Sequence, residues 1–539
     1  MPRLSCHELD ELPQLAWLAV VDRADGVVRV HHGTGVECRG NWLVEGVWDG
    51  EFRLGDFHTS DHFFGTGIRV AGDVVHFVPS SALVNRLVYC SHRGHVLVSN
   101  SLALLLGFTG AELDPGHDYR AETYAIRAGE GRYPKAFAVR HAEIPSFFQV
   151  SGENLVVGAG EPTCVSLRAV PAIPSYARYR ELLAGVLARL HRNYTSGDRR
   201  FRMRAFATVS SGYDSAAVAV LVKDLGIEAC FTARHSNSHI PWWLSRRAGI
   251  DDGKPIADRL GLATVYLDPH TARVTEDELY FLAPGCAPTS VRLHSLARHI
   301  ERGGRPAVLF TGFQGDEAWA LDPWELAYQT AGVVRGDTTA LMLSEIRLKS
   351  GFVNVAVPAL LARGIRDLAA LSAAPEMAPW RRGGTYDRPI PRRILEEAGI
   401  PPRLFGGRKK AIVLTYSYPM NPVLRRAFFA DLRSRLGRRG GGMFVRLHDA
   451  ANRVAFWLFR GYHLTRRALA AIPPPDTPTV LVGPRFNFAY ALFFWAARSL
   501  SQRLAAVLRT REVGPASVYR HRVPRYGAAP APRRFERSP

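Results

Sequence analysis

Three serines, a glycine, a tyrosine and an aspartate crowded into six residues are the groups in this chain best suited to chemistry. Residues 206–216 read FATVSSGYDSA: an apolar run, then Ser210, Ser211, Gly212, Tyr213, Asp214 and Ser215, then a second apolar run over 216–222. The pattern predicts a strand, a tight turn of small residues and a helix start. Such a turn points backbone N–H groups and the positive end of the helix dipole at one spot, where an anion binds. Ser210 and Ser215 add hydroxyl donors. Asp214 would repel a phosphate, which implies a metal bridging carboxylate and phosphate. The chain has no GxxxxGK[ST] run, so the common lysine-bearing phosphate loop is excluded.

A second loop follows an apolar strand pattern at 307–310. It contains Thr311, Gly312, Phe313, Gln314, Gly315, Asp316 and Glu317. The first six residues resemble the SGGxDS pyrophosphate loop of the N-type ATP pyrophosphatases, which include asparagine synthetases and β-lactam synthetases. Ser211 stands where that family has its first glycine. The second loop resembles the family's GEGGDE-like segment, matched at Gly312, Gly315, Asp316 and Glu317. The two loops come in family order, each after a strand, so in an open parallel sheet both would meet at one site. The resemblance implies that Asp214 and Asp316 hold Mg²⁺ against the triphosphate of ATP. Residues 401–412, PPRLFGGRKKAI, resemble the family's RxK element at Arg408 and Lys410. In the family that lysine neutralises charge on the departing pyrophosphate, work a compact point charge suits. A basic surface turn is the alternative in so cationic a chain.

The elements around these loops must position them. Short strand-like runs at 229–233 and 264–268 alternate with helix-like runs at 252–260 and 290–300, as in a parallel, doubly wound sheet. Asp251 and Asp252 are expected to cap the helix after them. By the resemblance, Thr232 to His235 would line the adenosine pocket. Upstream, WDGEF, FFGTGI and RLVYCSHRGHVLVSNSLALLL read as alternating strands with glycine turns and a short helix. Their order resembles the N-terminal glutaminase domain of asparagine synthetases. That glutaminase uses a cysteine exposed after removal of the initial Met, whereas this chain begins Met1-Pro2-Arg3. The domain is therefore expected to be a scaffold, and glutamine is not expected to supply nitrogen. β-Lactam synthetases and lasso-peptide cyclases are similar in layout.

The acceptor side departs from the family. Phe313 stands where asparagine synthetases have Glu and β-lactam synthetases have Tyr, and a phenyl ring transfers no proton. Asn354 replaces the Glu of the later GxExRVPFLD-like segment, represented here by GFVNVAVPALL. Glu345, Tyr386 and Asp387 are the remaining candidates for acid–base work, unranked.

The chain has 539 residues, enough for two or three domains, and 47% hydrophobic residues, as in ordinary globular proteins. Six cysteines, at 6, 38, 90, 164, 230 and 286, show no metal-ligand spacing and read mostly as buried thiols in a reducing compartment. The first residues lack a signal-peptide pattern, so a cytoplasmic location is expected. The net charge of +20 is concentrated in arginines towards the C-terminus. The apolar run FNFAYALFFWAA is short of the ~20 residues that span a bilayer. Three readings of this extension stand. Its helices pack on the synthetase domain, or they form a basic anchor on an anionic membrane surface, or they hold a large acidic substrate. No RNA- or DNA-binding module is legible, though tRNA stays open because some tRNA-modifying enzymes share the first loop.

The expected architecture is α/β. Residues 1–165 form a degenerate glutaminase-like (Ntn-type) α+β sandwich. Residues 175–430 form a doubly wound parallel-sheet synthetase domain of the adenine-nucleotide α-hydrolase-like (PP-loop) kind. A basic helical extension (431–510) and an Arg/Pro/Ala-rich tail (511–539) follow. The expected activity is ATP-dependent amide formation through an acyl-adenylate, on an unidentified carboxylate and amine. Ammonia-dependent asparagine synthesis and a decayed synthetase acting as a basic binding module are the alternatives.

Overall fold

The computed structural model describes residues 1–117, 134–166, 171–234, 251–267, 293–320, 344–383, 386–407 and 488–511, with a few single residues between them. Arg408, Lys410, His235, Asp268, Cys286, most of 431–487 and most of the tail lie outside the described residues. The described part is mixed α/β, with three sheets.

The N-terminal part holds two of them. The first combines β1 (Arg3–Glu8), β2 (Trp17–Asp22), β3 (Val27–His32), β8 (Leu87–His92), β9 (His95–Ser99), β10 (Glu112–Leu113), β11 (Ala136–Arg140) and β12 (Ser146–Val150). The second combines β4 (Glu37–Arg39), β5 (Trp42–Trp48), β6 (Phe63–Ala71), β7 (Val74–Val78), β13 (Asn154–Val157) and β14 (Thr163–Val165). The alternation read in the sequence turns one set of side chains into the seam between the sheets, where Trp17, Ala19, Val30, Leu43, Ile68, Phe77 and Val98 form a common core. Arg93 and Gly94, both at positive φ, make the tight connection from β8 to β9.

Helix α1 (Leu102–Thr109) covers the outer face of the first sheet. Ser101 caps it by accepting from the Leu104 N–H, and Gly110, at φ 75°, closes it by donating to the Leu106 carbonyl. A C-terminal helix (Phe488–Thr510) lies across α1, burying Phe493, Ala497, Leu500, Leu504 and Leu508 at helical spacing. Gly107 makes the approach possible, since a Cβ there would stand 2.6 Å from the Ser501 carbonyl oxygen. The described part of the extension therefore packs on the N-terminal sandwich, where the first of the three readings had put it on the parallel-sheet domain. The continuous apolar surface of α1, covered by sheet on one side and helix on the other, is what binds it. Among the described residues no helix is long and apolar enough to cross a membrane.

The cysteine reading also needs correction. Cys6 on β1 and Cys38 on β4 form a disulfide between the two sheets, so Cys6 is no free nucleophile in this form. Cys90 and Cys230 are buried thiols, as expected, and burial pushes each up to about 12.

The third sheet is all parallel: β15 (Arg204–Thr208), β16 (Ala229–Thr232), β17 (Thr264–Tyr266), β18 (Ala307–Thr311) and β19 (Phe352–Ala356), in spatial order β17-β16-β15-β18-β19. Helices flank it. They are α2 (Tyr176–Tyr194), α3 (Asp214–Val222), α4 (Lys254–Arg259), α5 (His294–Glu301), α6 (Gly315–Ala318), α7 (Ser344–Ser350), α8 (Ile365–Ala373) and α9 (Pro389–Glu397), and the C-terminal helix is α10. Helix α2 shows why such helices form: Ser175 caps it, and Tyr176, Tyr179, Leu183, Val186, Leu187, Leu190 and Tyr194 make one buried stripe.

Buried polar bonds fasten the sandwich to this domain. Glu45 on β5 takes both terminal nitrogens of Arg347 on α7, at 2.6 and 2.8 Å. Glu37 on β4 takes Arg199 at 2.9 Å, and burial pushes the Glu37 carboxyl up and the Arg199 guanidinium down to about 10. Glu345, a candidate for acid–base work, belongs to this seam instead. Its carboxylate accepts from the Ser101 hydroxyl and the Ala103 N–H at the start of α1, where the helix dipole favours a negative charge.

Candidate active site

The strand order fixes where a site can form. From β15 the chain steps outward to β16 and β17, then crosses back to β18 and β19 on the other side. The reversal falls between β15 and β18, which run side by side with Arg204 opposite Ala307 and Ala207 opposite Phe310. Ligands of open parallel sheets bind at the carboxyl ends of strands at such a reversal. The two loops singled out in the sequence leave these two strand ends.

The first loop is built as its residue types suggest. Val209 continues the sheet by donating to the Phe231 carbonyl at 2.9 Å. The Ser210 and Ser215 hydroxyls lie 2.9 Å apart, and the Gly212 N–H donates to the Ser210 oxygen at 3.1 Å, so the turn closes on itself. Asp214 then opens α3, whose Ala216, Ala217, Val218 and Ala219 are fully buried. An acid in the first turn suits the helix dipole but opposes a phosphate at the same place.

The second loop touches the first directly. A Cβ on Gly312 would stand 2.7 Å from the Ser215 nitrogen and 2.8 Å from the Asp214 carbonyl carbon. One on Gly315 would stand 2.7 Å from both Cβ and Cγ of Asp214. Only glycine fits at either position, and these contacts lay Gly312 and Gly315 on Asp214. Phe313 packs against the hydrophobic core of the domain. Trp319 anchors the far end of α6 by donating its indole N–H to the Tyr179 hydroxyl on α2 at 2.8 Å.

Gln314 is the anomaly of this loop. It sits at φ 66°, one of two non-glycine residues at positive φ among those described, and its side chain is 1% exposed. Neither amide atom has a hydrogen-bond partner among the described residues. Sequence reading passed over this residue. Positive φ and an unsatisfied buried amide both cost free energy.

A third segment braces the first loop. The Gly406 N–H donates to the Ser211 carbonyl at 3.0 Å, and at φ 67° Gly406 lies over Tyr213, where a Cβ would stand 2.3 Å from the ring. Phe405 meets the Tyr213 ring edge-on at 5.8 Å between centroids. Arg392, on α9, lies over the Tyr213 ring at 5.2 Å and donates to its hydroxyl. The segment resembling the RxK element thus reaches residue 407 while fastened to the first loop, although Arg408 and Lys410 themselves are not described. Sequence reading missed Arg392 and Gly406, because nothing in a helix of mixed charge or an FGG turn reveals what it will touch.

Other expectations divide. Asp252 does serve the start of α4, accepting from the Lys254 N–H at 2.9 Å. Asp251 does not cap. Its carboxylate accepts from the Ser211 hydroxyl at 3.0 Å, and its carbonyl faces the Ser211 N–H, so it supports the first loop from below. Thr232, at the end of β16, accepts from the Gly253 N–H at 2.9 Å. Asn354 receives the Thr311 hydroxyl at 2.8 Å inside the sheet. Asp387 is not a catalytic candidate either, since its carboxylate holds a turn through the Arg382 and Gly383 N–H groups. Tyr386 is the acid–base candidate whose ring meets the first loop, and the charge of Asp387 acts on Tyr213 as well. The Tyr386 ring meets that of Tyr213 at a tilt of 50°, 5.1 Å between centroids. Burial, then the charge of Asp214, push its phenol well above the ordinary range, against the pull of the Tyr213 N–H.

Asp214 and Asp316 were expected to hold Mg²⁺, and two carboxylates suit a divalent cation only if it brings further ligands of its own. The glycine cradle holds Gly315 and Asp214 in contact, and among the described residues no set of three His, Cys, Asp or Glu side chains could hold a metal alone. Mg²⁺ commonly binds through one or two carboxylates, phosphate oxygens and waters.

No family model matches the chain, and no curated protein matches it. Among solved structures it is similar to a predicted subunit of tRNA methyltransferase from Methanocaldococcus jannaschii, with 16% identity and a TM-score of 0.17. That likeness covers 39% of this chain and 96% of the other. At that level it bears on neither activity nor substrate.

Proposed function

We propose that the protein is an ATP-dependent carbon–nitrogen ligase that works through an acyl-adenylate. One observation carries the reading: two loops, each with an acid beside glycines, are packed on one another at the reversal point of a parallel sheet. A helix start supplies N–H donors there, and the acids call for a cation and an anion together.

In this reading the triphosphate of ATP lies along the loop of Ser210, Ser211, Gly212, Tyr213 and Ser215. A substrate carboxylate oxygen forms a bond to the α-phosphorus, and the bond to the bridging oxygen of the β-phosphate breaks, releasing pyrophosphate. An amine nitrogen then bonds to the acyl carbon and loses a proton to solvent, and AMP leaves with the electron pair of the broken acyl carbon–oxygen bond of the mixed anhydride. Mg²⁺ held by Asp214 and Asp316 would neutralise charge growing on the phosphate oxygens. Ser210 and Ser215 offer hydroxyls that can turn from each other to the phosphate. Asp251, Gly406 and Arg392 keep the loop in shape before ligand arrives, so little reorganisation is needed on binding. Arg408 and Lys410 would follow directly from the segment that Gly406 ties to Ser211 and would meet the leaving pyrophosphate. Phe313 and Asn354 supply no proton transfer, which favours an amine other than that handled by the acid-bearing relatives.

The test is titration of α,β-methylene ATP, with and without Mg²⁺, into the wild type, Asp214→Ala and Asp316→Ala. Binding should require Mg²⁺ and fall by about 100-fold or more in each variant, in line with loss of a metal-held phosphate contact. A well-folded wild type that binds no nucleotide would sink the reading.

A further inference from the structure

The Cys6–Cys38 disulfide stands where three parts of the chain meet. Cys6 lies on β1, the edge strand of the first sheet, which pairs with β3. Cys38 lies on β4, the three-residue edge strand of the second sheet, which pairs with β5. The bond therefore closes one side of the sandwich across its two edges. Both cysteines are half-buried.

The same two strands grip one dipeptide between α2 and β15. Glu8, two residues after Cys6 and so on the same face of β1, accepts from both terminal nitrogens of Arg200. Glu37, next to Cys38, accepts from the Arg199 guanidinium at 2.9 Å and from the Arg200 N–H at 2.7 Å. Arg199 also donates to the Gly46 carbonyl at 2.8 Å and lies 4.2 Å from the Phe52 ring centroid. Strand β15 begins at Arg204, four residues beyond Arg200, and runs into the first loop.

We propose that the Cys6–Cys38 bond is a site of thiol–disulfide exchange, and that its state sets the rigidity of the segment leading into β15. The reductant it suits is a dithiol. A thiolate of that dithiol bonds to one of the two sulfurs, the S–S bond breaks, and the other cysteine leaves as a thiolate that takes up a proton. The second thiol of the reductant then displaces the first cysteine. Cys6 and Cys38 together gain two electrons and two protons, and the dithiol becomes a disulfide. Exposed bonds of this kind are the labile ones, and edge strands open locally at less cost than core strands. An exposed ion pair such as Glu8 with Arg200 contributes little by itself. Once the bond opens, β1 is left with its pairing to β3 and that weak pair, so Glu8 can leave Arg200. The buried pair of Glu37 and Arg199 stays closed, so the two domains remain joined while the dipeptide loosens.

The experiment is hydrogen exchange read by mass spectrometry on the full chain, as isolated in air, after native-state treatment with millimolar dithiothreitol, and in the double variant Cys6→Ser with Cys38→Ser. Alkylation with iodoacetamide before and after the reductant reports the state of the two cysteines. The expected result is a bond that is intact in air and opened by dithiothreitol without denaturant. Exchange over residues 3–8 and 199–208 should then become about tenfold faster or more, the range opened by losing a loop-closing cross-link. The double variant should show the fast rates with or without reductant, and α8 and α9 should keep their rates in every sample. A bond that yields only in denaturant would be a structural staple and would overturn the proposal. So would an opened bond with unchanged exchange over 199–208, cysteines that alkylate without reductant, or an equal acceleration in α8 and α9, which would mark general unfolding. No nucleotide is present, so these outcomes are separate from the ATP reading.

Discussion

Carboxylates are brought close to neighbouring elements in two regions of this molecule, and the two are completed differently. At the seam between sandwich and parallel sheet, Glu45 meets Arg347 with two bonds and also accepts from Thr66 and Asn100, while Glu37 meets Arg199. Protein groups meet both terminal nitrogens of Arg347 and the carboxylate of Glu37 in that seam. At the strand ends, close glycine contacts lay Gly312 and Gly315, in the loop that carries Asp316, on Asp214, at a helix start suited to anions. Acids crowded at one point raise each other's energy unless a cation joins them. The first region is finished architecture, and the second is an arrangement that a metal and an anion complete.

The largest effect should come from breaking the seam. Glu45→Ala leaves the Arg347 guanidinium buried without its carboxylate and should cost about 3–5 kcal/mol. Replacing Glu45 and Arg347 together with methionine should cost much less, because the buried charge disappears with its partner. Denaturant midpoints of both variants check this, and equal losses would mean that the pair is not closed within the protein.

Next come the glycine contacts. Gly315→Ala forces a Cβ to within 2.7 Å of Asp214 and should destabilise by about 1–3 kcal/mol while weakening Mg²⁺-dependent nucleotide binding. Gln314→Gly, one residue away, should act oppositely on stability, by about 1 kcal/mol, since it releases a positive φ and a buried amide without partners. Thermal melts of the two variants, side by side, separate packing on Asp214 from strain in the loop.

A further effect is a pH dependence in the sandwich. His31 and His58 are pulled down from 6.5 to about 4, first by burial and then by neighbouring histidines, His7 and His76 respectively. A base with a lowered folded pKa binds its proton more weakly in the folded state. Its contribution is complete above pH 6.5 and is lost as pH falls towards 4. The double variant His31→Asn with His58→Asn should flatten that loss in urea midpoints measured between pH 7 and pH 4.5. An unchanged slope would assign the acid sensitivity elsewhere.

Local patterns were readable where one stretch of chain decides its own shape. The run into Ser210 and Asp214 gives a strand, a small-residue turn and a helix, because hydrophobic period, glycine and the cap positions all lie within eleven residues. The same holds for Ala307–Thr311, for the helix at Leu102–Thr109 and for the alternating strands before it. Side chains whose role is set by a distant partner were not readable. Asp251 looked like a cap and instead holds Ser211. Glu345 and Asp387 looked like acid–base candidates and instead accept from a helix start and a turn. Cys6 and Cys38, 32 residues apart, looked like thiols.

What the sequence by itself determined is the chemistry available: two acid-bearing, glycine-containing loops, each behind a strand, and an acceptor side without Glu or Tyr at position 313. The tertiary structure decided which of those groups meet. It set β18 beside β15, laid Gly312 and Gly315 on Asp214, turned Tyr386 to the first loop and sent Glu345 to the domain seam. The physical reason is reach. Propensity, capping and hydrophobic period act over a few residues, whereas strand order and the close approach that only glycine allows depend on partners about a hundred residues away.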